Sequence, residues 1–222
     1  MRRDPVLAAI IRQHGACELG AARERFDHFA MLARAIVFQQ LSTRAATTIH
    51  TRLLACLPGG AMTPVALAVI DEAQFRAAGI SRQKSGYLRD LAAKVNSGLV
   101  PLDAVDELTD DEVIAALTAI KGIGRWTAEM FLIFRLQRPD VLPVGDLGIQ
   151  NAIQRAYGLR KKPTPERMRK LAAAWQPYRS IACWYLWRSL DNEPVATRAS
   201  SKERVRASAP RTPLSASRKE PR

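Results

Sequence analysis

The stretch KGIGRWTAEMF, residues 121–131, decides how the middle of this chain folds. Two glycines flank one isoleucine and interrupt a helical pattern that resumes at once. Upstream, Thr109 and Glu112 have the spacing of a capping box ahead of the apolar run VIAALTAI. Downstream, helix-forming residues continue over 125–136. The sequence therefore predicts two helices joined by a tight hairpin, residues 110–136.

The hairpin glycines have separate uses. Gly122 follows the first helix, where a left-handed residue is favoured, and Gly124 lets the backbone approach another molecule closely. Ile123 is the apolar residue of the turn and is predicted to be buried. The free N–H groups that open the second helix suit a phosphate oxygen. An ordinary αα-hairpin with glycine caps explains the local pattern equally well.

The rest of the chain favours an all-α fold. Residues 26–40 repeat apolar positions at spacings of three and four, and Ser42 and Ser81 each precede a further helical pattern as predicted N-caps. No alternating apolar and polar run of strand length is present. We expect about eight to ten helices with short connections.

The net charge of +13 and the pI near 10.4 indicate a polyanionic partner, most often nucleic acid. Residues 191–222 contain eight Lys or Arg against four Asp or Glu and almost no large apolar residues. We expect this basic tail to be disordered and residues 1–190 to form the folded body. A solvated tail and a tail with weak non-specific DNA affinity remain equal alternatives.

Several classes of protein are disfavoured. The three cysteines and three histidines lack the spacing of a disulfide framework or a metal site, so no metal and no cofactor are expected. The sequence contains no run of about 18 apolar residues, so no membrane span is predicted. The N-terminus does not resemble a signal peptide. We expect an intracellular protein, cytoplasmic and nucleoid-associated, or nuclear in a eukaryote.

Four segments carry a family resemblance. LTAIKGIGRWTAEMFLIFRLQRPDVLPVGDLGIQNAI resembles the signature segment of the helix–hairpin–helix (HhH-GPD) DNA glycosylases, and the 3-methyladenine DNA glycosylase II branch fits best. AIVFQQLSTRAATTIHTRL, GISRQKSGYLRDLA and WQPYRSIACWYLWR also match, in the same order, across most of residues 25–190. The resemblance implies two helical subdomains with the active site in the cleft between them. It also implies a monomer that removes alkylated bases from double-stranded DNA.

Asp146, in PVGDLGIQ, matches the catalytic aspartate of that family. Cleavage of an N-glycosidic bond builds positive charge on the deoxyribose, and a nearby carboxylate stabilises that charge. From the local sequence alone, a simple N-cap is the better explanation of Asp146. The two roles are compatible.

Trp126 stands where related bifunctional glycosylases have a lysine nucleophile. Without that amine no Schiff base with the sugar can form at this position, so the resemblance implies a monofunctional enzyme. The indole also offers a π face to a cationic base. A tryptophan buried in the core is the alternative.

The resemblance implies further site residues. Trp187 matches a second aromatic of the base pocket, although its neighbours also suit a packed C-terminal helix. Met130 stands where some relatives have a pocket tyrosine, and Leu147 replaces another aromatic, so the pocket is expected to be less aromatic on that side. The preferred base is not indicated.

DNA contacts are expected at two turns. In FQQLST, Gln40 and Leu41 are candidates for a wedge that fills the gap left by an extruded base, with a hydrophobic staple as the alternative for Leu41. The hairpin is expected to hold the DNA backbone through Lys121, Gly122, Ile123, Gly124 and Arg125. Arg44, Arg82 and Lys84 are further candidates for phosphate contacts, although each one taken alone is better explained as a solvated surface charge.

Two other functions compete with a monofunctional glycosylase. A non-catalytic helix–hairpin–helix DNA-binding protein needs the glycines and the charge, but has no use for Asp146 together with Trp126 and Trp187. A glycosylase that also cuts the strand is disfavoured by the missing lysine.

Overall fold

The computed structural model describes residues 4–20 and 27–190. These residues form eleven α-helices and no strand, which confirms the predicted all-α class. The helices are α1 (Pro5–His14), α2 (His28–Phe38), α3 (Thr43–Cys56), α4 (Pro64–Val69), α5 (Glu72–Ala78), α6 (Arg82–Asn96), α7 (Asp110–Thr118), α8 (Arg125–Met130), α9 (Leu147–Ala156), α10 (Pro165–Ala172) and α11 (Arg179–Arg188). The predicted basic tail lies outside the described residues.

The predicted helix starts are confirmed by their caps. The hydroxyl of Ser42 accepts a hydrogen bond from the third residue of α3, and Ser81 does the same for α6. At α7, Thr109 accepts from the backbone N–H of Glu112, whose side chain accepts in return from the backbone N–H of Thr109 at 2.8 Å. Both halves of the capping box are therefore present.

Two helices end differently from the sequence prediction. The helix predicted over residues 26–40 stops at Phe38, because Gln40 has a φ of 57°, which a continuing helix does not allow. The helix predicted to run to residue 136 is α-helical only to Met130 and continues as one π turn, Phe131–Arg135. Such π turns occur often at functional sites.

Two hydrophobic cores divide the molecule into two subdomains. The first subdomain packs α2 to α8 around residues that include Leu32, Leu53, Phe75, Leu88 and Leu117. The second subdomain packs α1 against α9, α10 and α11 around residues that include Leu7, Ile153, Met168 and Trp175. The chain thus begins in the second subdomain and returns to it. Within the described residues, no helix combines the length and the apolar character that spanning a membrane requires.

Candidate active site

Asp146 lies where the chain passes from the first subdomain into α9. It is the N-cap of α9, and its Oδ1 accepts a hydrogen bond from the backbone N–H of Ile149 at 2.7 Å. Only 8% of the residue is exposed. The N-cap alternative is therefore correct, but it accounts for only one of the bonds that this carboxylate accepts.

Two indole N–H groups complete the hydrogen bonding of the carboxylate. Trp126 Nε1 donates to Oδ2 of Asp146 at 2.7 Å, and Trp187 Nε1 donates to Oδ1 at 2.9 Å. Trp126 belongs to α8 in the first subdomain, whereas Trp187 belongs to α11 in the second. The carboxylate is thus fixed from both sides at the junction of the subdomains.

Gly148 makes this arrangement possible. A Cβ atom at this position would lie 3.0 Å from Oδ1 of Asp146, 3.1 Å from Cδ1 of Trp187 and 3.2 Å from its Nε1. These distances are shorter than an ordinary van der Waals contact. A side chain at residue 148 would therefore move either the carboxylate or the indole, a requirement that the sequence did not reveal.

Trp126 is 52% exposed, so the alternative of a core tryptophan is wrong. Its ring forms part of the wall of a cavity of about 340 Å³ that also includes the predicted pocket residue Met130. The lining residues carry no charged side chain and are Met31, Leu32, Ala35, Phe38, Gln39, Gln40, Trp126, Thr127, Met130 and Phe131. Trp126 thus connects an uncharged cavity with several aromatic rings to the Asp146 carboxylate, to which its Nε1 donates.

Trp187 does not share that cavity wall. It stacks on Phe134 with ring centroids 5.6 Å apart and planes 29° apart. Phe134 is 45% exposed and lies in the π turn, which the sequence did not predict. Beside Asp146, Leu147 is also exposed. Two exposed apolar side chains therefore lie near the site, because Phe134 stacks on a donor to Asp146 and Leu147 follows Asp146 in the chain.

Glu129 is a second buried carboxylate near the site. Burial raises its pKa, the hydrogen bond and charge of Arg125 oppose that effect, and the charge of Asp146 adds to the increase. The Nε of Arg125 donates to Oε1 of Glu129 at 3.0 Å. The guanidinium predicted to hold DNA thus already pairs with a carboxylate in this structure.

The hairpin has the predicted backbone geometry. Gly122 has a φ of 84°, and Ile123 is buried. The N–H of Lys121 donates to Asp90 Oδ2 at 2.8 Å, so this group is already bonded within the protein. Gly124 is the N-cap of α8, and no side chain caps that terminus. The first-turn N–H groups of α8 are therefore the part of the hairpin best suited to an external acceptor.

The predicted wedge lies in the turn between α2 and α3. Leu41 is 40% exposed, which does not fit a staple buried under the next helix. Gln40 lines the apolar cavity. Lys84, expected to contact phosphate, instead donates through Nζ to the carbonyl oxygens of Val37 and Gln39 at 2.8 and 2.7 Å.

Known proteins share both the sequence and the fold. The family model for HhH-GPD superfamily base excision DNA repair proteins matches residues 33–177. DNA-3-methyladenine glycosylase 1 of Schizosaccharomyces pombe is 39% identical over 168 residues, which cover 75% of this chain and 74% of that protein.

Two solved structures agree with these matches. A Schizosaccharomyces pombe 3-methyladenine DNA glycosylase in complex with abasic DNA is 36% identical, with a TM-score of 0.72 over 83% of this chain and 91% of that chain. A DNA-3-methyladenine glycosidase from Bacillus halodurans is also 36% identical, with a TM-score of 0.78 over 85% of each chain. The chain therefore belongs to the HhH-GPD superfamily of base excision DNA repair proteins, and within it to the alkylbase glycosylase branch.

Proposed function

We propose that this protein is a monofunctional DNA glycosylase, which hydrolyses the N-glycosidic bond of alkylated purines such as 3-methyladenine and 7-methylguanine in double-stranded DNA. The observation that carries the proposal is the Asp146 carboxylate, held by the indole N–H groups of Trp126 and Trp187 beside an apolar, aromatic cavity. We expect the enzyme to act as a monomer without a metal or cofactor.

The chemistry assigned to Asp146 is stabilisation of charge. The C1′–N bond breaks and its electron pair leaves with the base, so the deoxyribose becomes positively charged. An N-alkylated purine already carries a positive charge and departs as a neutral molecule, which removes the need for a general acid. The carboxylate of Asp146 stabilises the sugar cation and orients a water molecule. The oxygen of this water bonds to C1′, and its released proton passes to the carboxylate.

The cavity suits an alkylated base in size and in character. The base must leave the helix stack to reach it. The π face of Trp126 attracts a cationic ring, and Met130 offers a polarisable, uncharged surface. Because no side chain that lines the cavity is charged, the cavity wall offers no second carboxylate to compete with Asp146 for the positive charge of the sugar. Trp187 contributes by orienting the carboxylate and by its stack on Phe134.

Strand cleavage is not part of the proposed reaction. Trp126 occupies the position at which a bifunctional relative would place a lysine, and its N–H is bound to Asp146. The residues lining the cavity provide no amine that could attack the sugar. The expected product is an abasic site in an intact strand.

DNA docking is assigned to two turns of the first subdomain, the hairpin and the turn between α2 and α3. The first-turn N–H groups of α8, together with Gly122, Gly124 and the Lys121 side chain, would hold a phosphate. The exposed Leu41 would enter the base stack, with Gln40 beside it. The related Schizosaccharomyces pombe glycosylase structure contains abasic DNA, which supports DNA as the partner.

Base release from methylated duplex DNA tests the proposal, with wild type and Asp146→Asn measured in parallel. We expect the wild type to release methylated purines and leave the strands intact. Asparagine keeps the N-cap acceptor but lacks the negative charge, so release should fall by about a thousandfold while DNA binding persists. A wild type that binds DNA and releases no base would instead favour the non-catalytic DNA-binding function.

A further inference from the structure

One face of α6 contacts both turns that are assigned to DNA docking. Lys84, Tyr87 and Asp90 are spaced three residues apart, so their side chains leave the helix on the same side. Lys84 contacts the turn that carries the wedge, whereas Tyr87 and Asp90 contact the hairpin. This helix therefore links two elements that are distant in the sequence.

Lys84 holds the end of α2. The last carbonyl groups of a helix have no donor within the helix, and here the ammonium supplies one. Its Nζ lies 2.8 Å from the carbonyl oxygen of Val37 and 2.7 Å from that of Gln39. The next residue, Gln40, has the left-handed φ of 57°, and Leu41 follows. The lysine thus fixes the backbone immediately before the wedge.

Gln39 connects the same turn to the hairpin. Its Nε2 donates to the carbonyl oxygen of Gly122 at 2.7 Å. Tyr87 packs against Gly122 so closely that a Cβ there would lie 2.2 Å from the ring atom Cδ2. Asp90, three residues further along α6, accepts a hydrogen bond from the backbone N–H of Lys121. The wedge turn and the hairpin are consequently held at a fixed separation.

We propose that Lys84 is a positioning residue that holds Leu41 at a fixed distance from the hairpin. The hairpin can then bind the DNA backbone while Leu41 enters the base stack. The inference rests on the proposed glycosylase function. It replaces the expectation that Lys84 contacts phosphate, because both of its close acceptors are carbonyl groups of the protein. A positioning role and a phosphate contact predict different behaviour.

Lys84→Met removes the ammonium and keeps much of the side chain's length. The variant loses two hydrogen bonds from a charged donor, which are stronger than bonds between neutral groups. Without them the wedge is no longer held in place, so kcat on a fully paired lesion should fall about tenfold to a hundredfold. On a lesion placed in a bulge, where extrusion costs less, the loss should be about twofold or less. Affinity for undamaged duplex, and the slope of that affinity against salt, should stay as in the wild type.

Arg82→Met is the matched control, because Arg82 is an exposed cation two residues away on the same helix. If Arg82 contacts a phosphate, its loss should weaken binding equally on paired and bulged DNA and reduce the salt slope by about one. The same salt response from Lys84→Met would overturn the positioning role. Equal loss of kcat on paired and bulged lesions would also overturn it.

A double mutant tests whether Lys84 acts through the wedge. Leu41→Ala should itself lower kcat on the paired lesion, and adding Lys84→Met should then have little further effect. Additive losses would contradict the proposal.

If Lys84→Met does not fold, Gln39→Leu provides a second test. It removes the hydrogen bond to Gly122 with the lysine intact and should show the same selective loss of kcat on the paired lesion. Equal losses on paired and bulged DNA would contradict the proposal.

Hydrogen exchange provides a readout that does not depend on activity. In the wild type the N–H of Leu41 donates to the carbonyl oxygen of Phe38 at 3.3 Å. Lys84→Met should speed exchange at residues 38–42 and leave the second subdomain unchanged. A wild type without base release would reject the glycosylase function, whereas unchanged exchange and unchanged kcat in an active enzyme would reject only the role of Lys84.

Discussion

Asp4 and Asp146 are two buried aspartates with nearly the same local structure and, in our proposal, different purposes. Each is an N-cap, Asp4 for α1 and Asp146 for α9. Each also accepts a hydrogen bond from an indole N–H. Their exposed fractions are 7% and 8%. Neither burial nor the kind of hydrogen bond separates a structural aspartate from one placed for chemistry.

The surroundings of the donors separate the two. Asp4 accepts from Trp175 Nε1 at 2.8 Å and from the hydroxyl of Tyr157, and Trp175 is fully buried in the core of the second subdomain. Asp146 accepts from indoles of both subdomains, and its donor Trp126 is half exposed beside a cavity. Both side-chain donors to Asp4 belong to the second subdomain, so Asp4 holds that subdomain together, although it also lines a surface cavity of about 610 Å³ with Tyr157. What distinguishes Asp146 is its place between the two subdomains and its half-exposed donor Trp126.

The largest expected effect comes from replacing each aspartate by asparagine, which should mainly lower stability at Asp4 and mainly lower activity at Asp146. In Asp4→Asn, an amide NH₂ group replaces one oxygen of the carboxylate that accepts from Trp175 and Tyr157. Donors left without an acceptor should lower the free energy of unfolding by about 2–4 kcal/mol. Its kcat per folded molecule should not change. Asp146→Asn should lose activity and lower the free energy of unfolding by only about 1 kcal/mol, because water can replace the lost partner of the exposed Trp126.

Urea unfolding and base release, measured on both variants, check this pair of outcomes. Equal losses of kcat in the two folded variants would mean that Asp4 also supports the reaction. Equal losses of stability would mean that the accessibility of Trp126 does not matter to the bond it makes. Either result would break the distinction between a carboxylate that joins the two subdomains and one that stabilises the second subdomain alone.

Gly148→Ala should have the next largest effect, and on activity rather than stability. The added methyl group would press on Asp146 Oδ1 and on the Trp187 ring, and a displaced catalytic group costs about tenfold to a hundredfold in kcat. Gly145→Ala is the control on the other side of Asp146, because a Cβ there meets nothing within 4 Å. Equal kcat for the two alanine variants would show that the carboxylate tolerates movement.

Local sequence patterns predicted those parts of the site that depend on local structure. The hairpin, its capping box and the buried Ile123 follow from spacing and from the conformational needs of glycine. Asp146 was predicted as an N-cap from its neighbours alone, and only the family resemblance pointed to catalysis. The assignment of Trp126 and Asp146 to one site came from that resemblance, and the structure joins them by a hydrogen bond.

Contacts between distant residues could not be predicted in this way. Gln39 and Gly122 are 83 positions apart, and Asp4 and Trp175 are 171 apart. Helical periodicity describes one helix at a time, so it does not show which carbonyl an ammonium such as that of Lys84 will meet. The π turn that exposes Phe134 and the close approach at Gly148 also depend on how helices pack against each other.

A smaller effect is expected when each aspartate loses its indole N–H. Trp126→Phe keeps an aromatic wall but removes the donor to Asp146, and kcat should fall about tenfold with little loss of stability. Trp175→Phe removes the equivalent bond to Asp4 inside a full core and should cost about 1–3 kcal/mol in unfolding free energy with kcat unchanged. A Trp126→Phe enzyme with wild-type kcat would show that Trp187 alone can orient the carboxylate.

The smallest expected effect is a dependence of stability on pH. Burial acts to raise the pKa of Asp4, but the hydrogen bonds from Trp175, Tyr157 and the backbone outweigh it and hold the pKa below the ordinary value of 3.8.

The stability that ionised Asp4 contributes is therefore fully present above about pH 5 and is lost as the pH falls below about 4, by at most about 1.4 kcal/mol per pH unit for one proton. Unfolding free energies of wild type and Asp4→Asn, measured from pH 7 to pH 3, should differ by a constant amount down to about pH 5 and then converge. A difference that stayed constant to pH 3 would mean that the negative charge of Asp4 contributes nothing, and that its capping geometry alone stabilises the second subdomain.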